Sequence, residues 1–207
     1  ELLRKVMARI VESYYEKSRE TFLFFYYPSE EYISYVEDDL CTGFVKNYEG
    51  GRYGFVALLP KEGMGIEELI DSLSGDSLSD LLSYRWEGKV LTAMPKFQTE
   101  FDVEMREVLQ AMGMTDAFDD EKANFSGMGT YAGEDLFISR VLHKTFISVG
   151  EKGTKAGAAT VVEMKDESCD WIDCEIKYVY LDRPFVYMLV DCENNIPFFI
   201  GTMMDVN

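Results

Sequence analysis

Apolar residues recur at helical spacing at the start of the chain. Leu2, Leu3, Val6, Met7, Ile10, Val11, Tyr14 and Tyr15 fall on one side, with Arg and Glu between them. This predicts an amphipathic helix over residues 2–15. Thr21 to Tyr27 is a continuous apolar and aromatic run ended by Pro28. It fits a buried strand or a helix extension, and periodicity does not separate the two. From Tyr32 onward the pattern is β-like. Ile33–Val36 and Thr42–Tyr48 read as strands joined by the acidic turn Glu37–Asp39. Gly50–Gly51 turns the chain into a third strand, Tyr53–Leu59, which Pro60 and Gly63 end.

Two short helices follow, Ile66–Leu73 and Leu78–Tyr84, then a strand over Lys89–Phe97 with Pro95 near its end. Residues 99–112 carry a helical pattern. Thr99 and Asp102 have capping-box spacing, Phe101, Met105, Val108, Leu109 and Met112 make one face, and Gly113 supplies the C-cap. Val141–Val149 reads as a strand with Val141, His143, Thr145, Ile147 and Val149 on one face. Tyr178–Val190 and Ile196–Met203 read as long strands around a turn at Glu193–Asn195. Many strands with a few short helices predict an α+β fold with largely antiparallel sheets.

Charge narrows the partners. The 207 residues carry 20 Lys and Arg against 38 Asp and Glu, a net charge of −18. Residues 1–27 hold five basic and four acidic residues, a net +1, so the excess lies in the remainder. So acidic a chain is a poor nucleic-acid binder, because counterion release needs Lys and Arg. It equally disfavours an anionic membrane surface. No apolar run reaches the ~18 residues that a membrane helix needs. One histidine and four cysteines at 41, 169, 174 and 192, none in CxxC spacing, predict no metal site and no cofactor. Cys169 and Cys174 are either free thiols or the ends of a small disulfide ring.

Catalytic motifs are scarce. Ser139 and His143 lie four residues apart, which on a strand separates them by ~13 Å. No enzyme is therefore expected, and His143 reads as a structural histidine. The unusual stretch is Gly153-Thr-Lys-Ala-Gly-Ala-Ala-Thr160, small throughout except Lys155. At period two, Thr154, Ala156, Ala158, Thr160 and Val162 share one face. Such a segment is either a Gly/Ala-rich linker or a strand that adds to a sheet with little steric resistance. It runs into Glu163–Glu175, which has six acids and one base.

Several motifs occur in one order along the chain. They are Tyr53-Gly-Phe-Val-Ala-Leu-Leu-Pro-Lys-Glu-Gly63, Met94-Pro-Lys-Phe97, Met112-Gly-Met-Thr-Asp-Ala-Phe118 and Asn124-Phe-Ser-Gly127. Val141-Leu-His-Lys-Thr-Phe-Ile147, Glu151-Lys-Gly-Thr154, Val179-Tyr-Leu-Asp-Arg-Pro-Phe-Val-Tyr-Met-Leu189 and Phe198-Phe-Ile-Gly201 complete the series. Over residues 31–207 this resembles the C-terminal portion of the serpin family, and Tyr53–Gly63 resembles its bacterial branch. Residues 1–30 stay unassigned.

The resemblance implies a serine-type endopeptidase inhibitor that acts as a suicide substrate. A target protease cleaves an exposed reactive loop, here about 151–183, and the cut loop inserts into a sheet. It implies a hinge at Gly153, Thr154, Ala156, Ala158, Ala159 and Thr160. Counting from Gly153 places the scissile bond at Glu167–Ser168, which predicts a protease that accepts Glu. Lys165 is the alternative bait and would suit a trypsin-like target. The resemblance also implies an ion pair between Glu151 and Lys96 within ~4 Å, of the exposed kind. It places His143 as a buried histidine where the sheet opens. It implies an extracellular or cell-surface setting, and either an absent N-terminal half or another chain as partner. A truncated, non-inhibitory serpin-like binding or structural protein is the alternative.

Overall fold

The computed structural model describes residues 29–131, 136–150, 153–155 and 175–206. The expected helix at 2–15 and the apolar run at 21–27 lie outside them. Among the described residues, ten strands form two sheets. β1 (Ser29–Glu37), β2 (Cys41–Asn47) and β3 (Tyr53–Pro60) form an antiparallel meander in the larger one. β4 (Trp86–Ala93), β8 (Lys177–Tyr180), β9 (Phe185–Asp191) and β10 (Ile196–Met203) complete it, in the order β10-β9-β3-β2-β1-β4-β8. Only β4 and β8 pair in parallel. The smaller sheet is β5 (Phe97–Glu104), β6 (Leu142–Gly150) and β7 (Gly153–Lys155). The α+β class with largely antiparallel sheets holds.

The alternation of side chains along β3 and β9 builds the layers. Val56 and Leu58 of β3 and Val186, Met188 and Val190 of β9 face α1 (Ile66–Ser72) and α2 (Gly75–Ser83). These helices contribute Ile66, Leu69, Ile70, Leu78, Leu81 and Leu82. Phe55, Ala57 and Leu59 of β3 and Phe185, Tyr187 and Leu189 of β9 point the other way. They meet Phe97, Ile147 and Val149 of the smaller sheet. β9 is buried on both faces, so its sequence Phe-Val-Tyr-Met-Leu-Val is apolar without a break. At the start of α2 the Ser74 and Ser77 side chains form a reciprocal capping box.

The structure corrects three expectations. Residues 99–112 are not one helix. Phe97–Glu104 is β5, paired with β6 over eight residues, and only Arg106–Ala111 is helical, as α3. Both periods are present in this stretch. Phe97, Thr99, Phe101 and Val103 also alternate with Gln98, Glu100, Asp102 and Glu104, and pairing with β6 selects the strand. Thr99 therefore caps nothing. Gly113 does end α3, at φ +101°: its N–H donates to the Gln110 carbonyl, and the Met114 N–H donates to that of Leu109.

Lys89–Phe97 is likewise not one strand. β4 stops at Ala93, before Pro95, and Phe97 opens β5 in the other sheet. Tyr178–Val190 divides in the same way around Pro184. β8 pairs with β4 at one edge of the larger sheet, and β9 lies between β3 and β10 at the far side. Residues 177–180 of the segment expected as loop are thus strand.

Gly43 shows how closely β2 and β3 approach. A Cβ built there would lie 2.2 Å from the Ala57 carbonyl oxygen and 2.9 Å from a Leu58 methyl. Gly43→Ala is expected to lower unfolding free energy by about 3 kcal/mol in urea denaturation, the upper part of the overpacking range. Gly127→Ala, whose Cβ would meet open space, is expected to change it by less than about 0.5 kcal/mol. Equal effects of the two would contradict this packing.

Candidate functional site: the hinge strand and its edge

The candidate site is the β6–β7 hairpin. β6 has β5 on one edge, in the register Phe97↔Val149 through Glu104↔Leu142. On its other edge β7 pairs antiparallel, Gly150↔Gly153, Val149↔Thr154 and Ser148↔Lys155. Three of the nine β6 residues are thus engaged by β7. From Leu142 to Ile147 that edge has no strand beside it among the described residues. Such an edge offers backbone donors and acceptors to an added strand.

Gly153 and Thr154, expected at the hinge, are therefore the residues where the chain turns back onto β6. Ala156, Ala158, Ala159 and Thr160 lie outside the described residues. So do Glu151, Lys165, Glu167, Ser168, Cys169 and Cys174. Lys96 immediately precedes β5. Since Phe97 pairs with Val149, Lys96 stands beside the C-terminal end of β6. Cys41 is a buried free thiol and Cys192 a half-buried one. Burial pushes both thiols up, out of the range of an activated nucleophile.

The position of His143 differs from expectation. It pairs with Val103 and is exposed, where the resemblance implied burial. The cause is local. This part of β6 projects past the packed seam of Ile147 and Val149, and its inner face opens into a cleft of about 100 Å³. Phe101, Val103, Tyr187, Phe199, Ile200 and Thr202 line the same cleft.

Three residues that the sequence reading did not single out hold β5 and β6 in place. Tyr187 of β9 stands at the seam, its ring centroid 5.0 Å from that of Phe97, and its hydroxyl lies 3.0 Å from the Thr99 hydroxyl. Gly201 of β10 makes room for the Tyr187 ring, since a Cβ there would fall 2.3 Å from it. Glu104 clamps the entry to β6. Its carboxylate accepts from the Val141 backbone N–H at 3.0 Å, from Arg140 Nε at 3.0 Å and from the Arg106 N–H at 3.3 Å. The Val141 N–H above all holds the Glu104 carboxyl below the ordinary range. The alternation around Tyr187 was visible in the sequence, but its pairing with Thr99 joins two sheets that periodicity does not connect.

Loss of the Tyr187 hydroxyl tests the bridge between the sheets. Tyr187→Phe is expected to lower stability by about 1 kcal/mol in chemical denaturation. Gly201→Val, which displaces the ring, is expected to lower it by at least about 2 kcal/mol. A Tyr187→Phe variant as stable as the parent would show that the bond contributes nothing.

Comparison with known proteins agrees with this geometry. The family described as "Serpin (serine protease inhibitor)" matches residues 24–206. A serpin-like protein of Thermococcus kodakarensis is 39% identical over 171 residues, covering 83% of this chain and 39% of that protein. Human Serpin B13 is 33% identical over 156 residues, covering 74% and 38%. The crystal structure of the thermophilic serpin tengpin in its native state superimposes with a TM-score of 0.73 at 40% identity, over 90% of this chain and 50% of that one. The chain thus spans about two fifths of the length of these curated relatives. With the match running from residue 24 to residue 206, this chain belongs to the serpin family.

Proposed function

We propose that this chain carries the reactive-loop portion of a serine-type endopeptidase inhibitor, which traps its target as a suicide substrate. The observation that carries this reading is the register of β7. The hinge re-enters the sheet antiparallel to β6 from Gly153 onward, the direction in which a cleaved loop would continue along the unpaired edge from Ile147 to Leu142. Each further residue would form backbone hydrogen bonds, and the small residues Ala156, Ala158, Ala159 and Thr160 would meet little steric opposition.

In this reading the protease attacks the Glu167 carbonyl carbon. The Glu167–Ser168 bond breaks, the Ser168 amine leaves, and the enzyme's serine holds Glu167 as an acyl ester. Insertion of the loop then moves the acylated enzyme before water hydrolyses the ester. In this reading Lys96 pairs with Glu151 and supports the hinge. The single histidine, His143, lies on the strand segment along which the loop would run. Glu167 as bait calls for a protease that accepts Glu, and Lys165 for a trypsin-like one.

A second reading is a non-inhibitory serpin-like binding protein. The observation favouring it is that, among the described residues, no strand stands ready to pair with the far edge of an inserted loop. Insertion would then gain hydrogen bonds along one edge only, unless an N-terminal portion or another chain supplies the second.

Incubation with a glutamyl-specific and a trypsin-like serine protease separates the readings. The inhibitory reading expects a covalent complex that survives SDS. It also expects Thr154→Arg to cut the yield of complex about tenfold or more while cleavage continues, because a charge would be forced opposite the buried Val149. Cleavage after Glu167 with no complex would support the binding-protein reading.

A further inference from the structure

Asn124-Phe-Ser126 is the one place in the sequence where an asparagine has a hydroxyl residue two positions on and no proline between. Asn47, Asn194 and Asn195 have Glu49, Ile196 and Pro197 at that spacing. N-linked glycan transfer requires an asparagine followed two positions on by Ser or Thr. The pattern is short, and the local fold decides whether the amide can be reached. We propose that Asn124 is a modification site that carries an N-linked oligosaccharide on its side-chain nitrogen, Nδ2.

The chain around Asn124 alternates between anchored and outward residues. Ala123 is buried and Phe125 half-buried, while Asn124 and Ser126 are exposed. The Ala123 N–H donates to the Asp119 carbonyl at 2.9 Å, and the Met128 N–H donates to the Phe125 carbonyl at 2.7 Å. The loop is therefore held on both sides of Asn124. The Asn124 Oδ1 accepts from the Ser126 N–H at 3.2 Å and from the Ser126 hydroxyl at 2.7 Å. These bonds orient the amide, and its Nδ2 has no partner among the described residues. Asp120, Glu121 and Lys122 beside it are exposed as well. Covering Asn124 would take these charges out of water, which is costly, so this side of the loop favours solvent.

The transfer balances with one co-reactant, an oligosaccharide carried on a polyprenyl phosphate or diphosphate lipid. Asn124 Nδ2 attacks C1 of the first sugar. The C1–O bond to phosphate breaks with its electron pair leaving on the lipid phosphate, the C1–N bond forms, and Nδ2 gives up one proton. The transferase works on the side of the membrane away from the ribosome, so the proposal also assigns this chain an exported setting. The glycan would be a bulky, hydrated group on the loop that leads into β6. Arg106 ties the two ends of that loop, donating to the Phe118 carbonyl at 3.1 Å and to the Ser139 carbonyl at 3.4 Å. The proposal stands whether or not the chain inhibits a protease.

The test uses protein isolated from the cells and from the medium of the organism that encodes it. Trypsin releases residues 123–140 as one peptide, because Lys122 precedes it and Arg140 is its only basic residue. Mass spectrometry with electron-transfer fragmentation is expected to show this peptide heavier by whole sugar residues, with the added mass on Asn124. Ser126→Ala, made in the same organism, is expected to lower the occupied fraction at least about tenfold, and Ser126→Thr to keep it. Ser126 is exposed, so neither change threatens the fold. Bare peptide alone in both fractions would overturn the proposal. So would sugar on Ser126 or Thr130 instead of Asn124, or occupancy that survives Ser126→Ala.

Discussion

The edge of β6 from Leu142 to Ile147, unpaired among the described residues, is the constraint on which the rest of this structure depends. An exposed strand edge normally invites unwanted pairing, and proteins shorten, charge or cover it. Here the edge is kept, and the chain itself supplies the first three residues that pair with it. The edge is usable only while β6 holds its position. That position comes from Ile147 and Val149, which are buried against the larger sheet, and from Glu104, which fixes the residues entering the strand. The fold is therefore firm at one end of β6 and open at the other. The open end carries His143 and borders the cleft.

The larger sheet provides the counterweight. Helices α1 and α2 cover one of its faces and the smaller sheet covers part of the other. β9 lies between them with both faces buried. Tyr187 belongs to this strand, so the group that meets Phe97 and Thr99 is anchored in the best-packed part of the molecule. Gly201 gives its ring room. Through these two positions the sheet that would accept a loop is referred to a rigid base.

Much of this was legible in the sequence, and the failures have physical causes. The meander β1–β3 was readable because short apolar runs are bounded by the acidic turn Glu37–Asp39 and by Gly50–Gly51, although β3 itself does not alternate, being buried over all but its first residue. Residues 97–104 were misread because Phe101 and Met105 satisfy a helical period while Phe97, Thr99, Phe101 and Val103 satisfy a strand period. The decision rests with β6, some 40 residues away in the chain. The breaks at Pro95 and Pro184 were hidden inside apolar runs, because strands of two different sheets, or of two distant places in one sheet, followed each other directly. His143 was expected to be buried, and its exposure follows from how little of the cleft is covered by the described residues. The run of small residues from Gly153 was legible as a candidate hinge, whereas the antiparallel pairing of Gly153–Lys155 with β6 came only from the register.

The account rests on β6 gaining a strand along its free edge. The most direct measurement is amide hydrogen exchange of Leu142–Ile147 before and after cleavage of the chain at Glu167 by a glutamyl-specific protease. Loop addition predicts that the amides on that edge become strongly protected once the loop is cut, while those of β2 and β3 stay as they were. Unchanged exchange from Leu142 to Ile147 after complete cleavage would contradict it.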